Sequence, residues 1–174
     1  MKKVWLTCIM VVGFVFVINA QDTGPTSQGK WLIEANTGFG DQAAHGASTG
    51  FGLSTSDGST LWSIGFEGGY FIIDDLALKA GLGYTDFDGS NLFSYKLGAK
   101  YYIISKIPVQ LDITGASISD FDENPLWLGL QAGYAIFLND FVSVEPGIRY
   151  NLSLNEQYSE DGIFEFKIGF ALHF

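Results

Sequence analysis

Phe164-Glu-Phe-Lys-Ile-Gly-Phe-Ala-Leu-His-Phe174 is the stretch on which the fold turns. Phe164, Phe166, Ile168, Phe170, Leu172 and Phe174 take every second position. Glu165, Lys167, Gly169, Ala171 and His173 fill the positions between them. A period of two puts these sets on opposite faces of a β-strand, whereas a helix would scatter both around its axis. One face is aliphatic and aromatic, and the other carries charge and small residues.

The same alternation runs back through the chain. It predicts eight strands at Lys30–Gly40, Ser59–Phe71, Leu76–Asp86, Leu92–Ile103, Pro108–Ile118, Leu126–Phe137, Phe141–Leu152 and Gly162–Phe174. In each, one phase is free of Asp, Glu, Lys and Arg. Trp62, Ile64 and Phe66 illustrate it in the second strand, and Phe93, Tyr95, Leu97 and Tyr101 in the fourth. The other phase holds Glu34, Glu67, Lys79, Lys96, Lys100, Asp112, Glu145, Arg149, Glu165 and Lys167, five acids and five bases, with many glycines between them. A charge facing hydrocarbon near the midplane costs about 2–4 kcal/mol. An uncharged face on every strand therefore implies contact with lipid. The ionic face then lines the interior of a closed barrel. An eight-stranded interior is only wide enough for side chains to fill, so glycine makes room for long charged neighbours and opposite charges meet.

Composition agrees. The 174 residues suffice for one domain, 47% are hydrophobic and 16% aromatic. Yet after residue 20 no apolar run is long enough for a membrane helix. The net charge of −10 and the scarcity of cations argue against nucleic acid. Residues 1–20 read as a cleaved secretory signal: Lys2 and Lys3, the apolar run Val4–Ile18, then Asn19 and Ala20. Cys8, the only cysteine, lies in that run, so the mature chain holds no disulfide. Residues 21–29 are polar and read as a flexible lead, and 30–174 as the barrel.

The connections are expected to alternate, short at Ile72–Asp75, Ile104–Ile107 and Leu138–Asp140, and longer or more polar at Asp41–Gly58, Phe87–Asn91, Ser119–Pro125 and Ser153–Asp161. Ser48–Ser56 also alternates. A ninth spanning strand would put the two chain ends on opposite sides, so it is assigned to a hairpin extension above the membrane. Reflection about the turns suggests ion pairs Glu67 with Lys79, Lys100 with Asp112, and Arg149 with Glu165. Pro146 cannot donate to a ladder and predicts a local bulge.

The terminal Phe174, with Phe166, Ile168, Phe170 and Leu172 at alternate positions before it, resembles the C-terminal signal by which outer-membrane barrels are recognised for assembly. Residues 30–174 are similar to the porin-like family of small outer-membrane β-barrels, of OmpA and OmpX type. The resemblance implies the outer membrane of a Gram-negative envelope, with outer-membrane lipid and the barrel assembly machinery as partners. It says little about task, because that family spans structural and adhesive proteins, narrow pores and lipid-modifying enzymes.

The residues point to no catalytic constellation. His45 falls in the first external loop and His173 at the opposite end of the barrel, so they cannot share a site. No cofactor is expected, and no metal-ligand spacing is present. The external loops hold Asp41, Asp57, Asp86, Asp88, Asp120, Asp122, Glu123, Glu156, Glu160 and Asp161 without a Lys or Arg. Asp86 and Asp88, with Asp120 and Asp122, are weak candidates for divalent cations, and the acidic rim for a basic partner. The reading is a non-enzymatic barrel with a salt-bridged, plugged lumen and acidic surface loops, structural or interactive in role. A narrow channel for ions or small solutes is the alternative, followed by an envelope-lipid enzyme and a soluble lipid-binding barrel.

Overall fold

The structure, a computed structural model, describes residues 24–39, 47–56, 58–87, 89–119 and 123–174. The proposed signal, His45, Asp41, Asp57, Asp88, Asp120 and Asp122 lie outside the described residues. Ten strands form one antiparallel sheet: β1 (Trp31–Phe39), β2 (Gly50–Ser56), β3 (Ser59–Ile73), β4 (Leu76–Phe87), β5 (Ser90–Ile103), β6 (Ile107–Ile118), β7 (Leu126–Gly133), β8 (Ile136–Asn139), β9 (Val142–Ser153) and β10 (Ile163–His173). Each strand pairs with its neighbour in sequence, with two qualifications. β7 and β8 both pair with β9, as two halves of one barrel strand, and β2 lies beside β3. Closure comes from β1, which pairs with β10 along its length and with β3 through Trp31–Ile33 against Tyr70–Gly68. The result is an eight-stranded barrel with one additional strand, as the alternation predicts. Trp31 and Phe174 exchange backbone hydrogen bonds, so the barrel begins and ends at the same rim.

The two faces separate as expected. Tyr70, Leu78, Leu82, Phe93, Leu97, Leu111, Leu130, Ile148 and Phe166 are all exposed on the outside, while every one of the ten ionic residues of the other phase is buried. This is the reverse of a water-soluble protein, and it fits a barrel standing in hydrocarbon. Strands of 11 to 15 residues in β3–β6, β9 and β10 reach the 9–11 that a tilted crossing needs. Tilted aromatic pairs mark both ends of the apolar band: Trp31 with Tyr70 at 5.0 Å, and Trp62 with Tyr84 at 5.3 Å. Amphipathic rings favour such interfacial positions.

Three expectations need correction. The Phe87–Asn91 connection is shorter than expected, because Phe87 pairs with Ser90. Gly89 at φ 106° supplies the left-handed geometry that such a hairpin demands. The predicted sixth strand, Leu126–Phe137, is interrupted at Tyr134 and Ala135. Pro146, expected to cause a bulge, stays in register against Ile168 on β10. Its effect falls on the other neighbour. Tyr134 N–H donates to the Pro146 carbonyl at 3.0 Å, but proline has no N–H to return the bond. The ladder therefore breaks between β7 and β8, and Ala135 N–H turns to the Lys106 carbonyl at 2.7 Å.

Candidate functional site

The interior is the chemically dense part of the molecule. Long side chains fit because glycines oppose them. Gly129 faces Arg149 so closely that an added Cβ would overlap the guanidinium, and Gly98 gives the same room to Asp112.

All ten ionic residues join one network. Lys79 Nζ donates to Glu34 Oε2 at 2.6 Å and to Gln110 Oε1 at 2.8 Å, and it is ion-paired with Glu67 Oε1 at 2.8 Å. Lys96 holds the second oxygen of Glu67 at 3.0 Å. Lys100 bridges Glu34 at 3.0 Å and Glu145. Through Gln110 the network passes to Asp112 at 2.6 Å. Asp112 takes a two-pronged contact from Arg149, at 2.7 and 2.6 Å. Arg149 Nε donates to Asn151 at 2.7 Å, Asn151 donates to Glu165 at 3.0 Å, and Lys167 stands 3.7 Å from Glu165. Buried ions are tolerable when paired and hydrogen-bonded, and removing one partner leaves a bare charge.

The predicted pairing scheme survives in one case of three. Glu67 and Lys79 meet, but diagonally, since Glu67 lies opposite Gly81 and Lys79 opposite Gly69. Lys100 lies opposite Gln110, not Asp112, and binds acids from across the lumen. Arg149 is opposite Glu165 as expected, yet its guanidinium reaches Asp112. A lumen this narrow lets side chains cross it, so ion-pair partners lie on non-neighbouring strands more often than on adjacent ones.

Below the network the barrel is floored. Leu32, Phe71, Ala77, Tyr102, Ala135 and Ala171 form a buried cluster, with Phe137 and His173 packed into it at ring distances of 5.4 to 6.1 Å. Tyr102 Oη donates to Glu145 at 2.8 Å, linking floor to network. Outside the floor lies the chain just before β1. Thr26 Oγ1 donates to Asp75 at 2.5 Å, Asp75 N–H donates to the Thr26 carbonyl at 2.8 Å, and Gln28 N–H donates to Asp74 at 2.8 Å. The polar composition of residues 21–29 gave no signal for this docking.

One arrangement resembles catalytic machinery and has the wrong polarity. Ser143 Oγ lies 3.0 Å from His173 Nε2 and 2.9 Å from Glu145 Oε1. The carboxylate accepts the single hydroxyl proton, so His173 Nε2 must donate to Ser143 and cannot act as its base. Both side chains are fully buried at the level of the floor. Among the described residues no group of three His, Cys, Asp or Glu could hold a metal. Asp86, the one described member of the proposed cation sites, sits near the outer end of β4 opposite Asn91.

No family model matches the sequence, and no curated protein resembles it. Solved structures of similar architecture include the N-terminal β-barrel domain of Pseudomonas aeruginosa OprF, at 17% identity over 84% of this chain and 98% of that one, TM-score 0.48. The Yersinia pestis outer membrane protein Ail matches at 11% identity over 84% and 100% of the two chains, TM-score 0.46. A de novo designed transmembrane β-barrel matches at 12% over 85% and 98%, TM-score 0.47. The chain's own ladders and faces define it as a small eight-stranded transmembrane barrel.

Proposed function

We propose that the protein is a non-enzymatic integral protein of a bacterial outer membrane. Its plugged barrel is a rigid anchor for acidic external loops in a structural or surface-interaction role. The supporting observation is the continuous lumen network standing on the Phe71–Tyr102–His173 floor. The five acids and five bases are buried and ion-paired, and the aromatic floor packs beneath them, which supports a plugged lumen rather than a conducting one. The Phe166–Phe174 stretch on β10 suits delivery by the barrel assembly machinery. The outer-rim acids Glu123, Glu156, Glu160 and Asp161 suit a basic partner or divalent cations.

Planar-bilayer recording of purified, refolded protein tests the plug. The expected trace is silent at moderate voltage. Steady unitary openings would replace the anchor with a narrow channel.

A further inference from the structure

The two edges of β1 are bonded differently. Toward β10 it runs as a ladder from Leu32, opposite His173, to Phe39, opposite Phe166. Toward β3 the ladder covers only Trp31, Leu32 and Ile33, against Tyr70, Gly69 and Gly68. Trp31 N–H donates to the Phe174 carbonyl at 2.6 Å. By the period of two, the amides of Ile33 and Ala35 then face β10 as well, and the backbone groups of Glu34 and Asn36 face the β3 side.

Three devices hold the β3 edge where the ladder is missing. Below it lies the lead. Gly29 N–H donates to the Phe71 carbonyl at 2.9 Å and Phe71 N–H to the Lys30 carbonyl at 2.9 Å. Thr26, buried, is tied to Asp75 on the turn after β3. Above the ladder Thr49 is wedged between the strands. Its N–H donates to the Glu34 carbonyl of β1 at 3.4 Å. Its hydroxyl accepts from Glu67 N–H of β3 at 2.8 Å and donates to the Glu67 carbonyl at 3.1 Å. One side chain thus engages both backbone groups that a neighbouring strand would engage. Ala47 seats the wedge from within: it is buried, and its carbonyl lies so close to Gly81 that an added Cβ would stand 2.3 Å from the oxygen. The third device spans the seam from the lumen. Lys79 holds Glu34 of β1 at 2.6 Å and Glu67 of β3 at 2.8 Å, and Asn36 Nδ2 reaches the same two carboxylates at 3.4 and 3.3 Å.

A backbone ladder opens as a unit, whereas ties of this kind are each worth about 1 kcal/mol and release separately. Local opening begins where backbone pairing is thinnest. Backbone groups facing hydrocarbon must stay bonded, so Glu67 depends on Thr49 for both of its own.

We propose that the barrel wall has a hinged panel: it opens along the seam between β1 and β3, with β1 carried on β10, and the lead, Thr49 and Lys79 are the locks that keep it shut. Opening there joins the lumen to hydrocarbon at the level of Glu34 and Glu67.

The test is amide hydrogen exchange, read by NMR on the refolded protein in dodecylphosphocholine micelles. Phe71 and Glu67 report the locked seam, and Ile33 and Ala35 report the seam to β10. In the parent, Phe71 and Glu67 should exchange at least about tenfold faster than Ile33 and Ala35. Thr49→Val keeps the shape and removes the hydroxyl. It should speed exchange of Phe71, which Thr49 does not touch, at least about tenfold and leave Ile33 and Ala35 unchanged. Thr49→Ser, which keeps the hydroxyl, should restore the parent rates. Thr26→Val lies at the rim and releases the opposite lock, so it should speed exchange of Glu67 while sparing Ile33 and Ala35. Equal protection of the two seams in the parent overturns the proposal. So does acceleration by one factor on both sides of β1, or a response confined to the altered residue's own partner.

Discussion

Gly129→Ala isolates the tightest demand the lumen makes on its wall. Elsewhere in a strand, alanine is favoured over glycine by roughly 0.5–1 kcal/mol. Here the new methyl would occupy the space of the Arg149 guanidinium, with Nη1 at 2.9 Å and the other two guanidinium atoms closer still. Arg149 is the far end of a flexible side chain, but bonds to Asp112 at 2.6 and 2.7 Å and to Asn151 at 2.7 Å hold it. To yield, it must abandon Asp112, which keeps only Gln110 and Thr114 as donors. Losing one partner of a buried pair costs about 3–5 kcal/mol, which outweighs the strand preference several-fold. With an m-value of about 2 kcal/mol/M the urea midpoint falls by about 2 M. Equilibrium unfolding in lipid vesicles, followed through buried Trp127 beside the site, reads the shift. In an Asp112→Leu/Arg149→Leu background the same alanine should be neutral or mildly stabilising. A single-variant midpoint within about 0.5 M of the parent would refute the packing argument.

Leu97 is two-thirds exposed on the lipid side, so Leu97→Arg should lose about 2–4 kcal/mol in vesicles, read by the same titration. Tyr102→Phe removes the bond from floor to Glu145 and should cost about 1.5–3 kcal/mol, as expected for a hydrogen bond to a charged group. An unchanged urea midpoint would show the floor to be uncoupled from the network. Pro146→Ala restores the N–H that Tyr134 lacks as a partner. It should add about 0.5–1.5 kcal/mol and give a slowly exchanging amide at position 146, observable by hydrogen exchange.

Much of this barrel is visible in its alternation because one physical rule, no charge toward lipid, acts on every strand independently. The ten lumen ions follow from that rule alone. Their partners do not. Pairing Glu67 with Lys79 is two positions off, because the register of β3 on β4 is symmetric about Asp74 over most of its length and sets Glu67 opposite Gly81; the two side chains meet only diagonally. Centring the next hairpin on Lys106 makes a similar error, since Ile103 pairs with Ile107 about Ser105. Even where the register is right, as for Arg149 and Glu165, reach across a narrow lumen decides the contact. Pro146 shows the same limit: its missing donor is legible, but which of two neighbouring strands loses the bond depends on the pairing phase. The alternation of Ser48–Ser56 marks β2 as a strand beside β3. That β1 and β2 divide the edge of β3 between them is a property of closure that no single strand encodes.

Sidedness carries the whole account, and site-directed spin labelling along β5 and β6 reads it directly. With Cys8 replaced by Ser, single labels at Phe93, Tyr95, Leu97, Leu111 and Ile113 in a reconstituted bilayer should be relaxed strongly by oxygen, which concentrates in hydrocarbon. Labels at Ser94, Lys96 and Thr114 should be shielded from both oxygen and an aqueous nickel chelate. Oxygen accessibility that peaks at Ser94, Lys96 and Thr114, or shows no period of two, would contradict it.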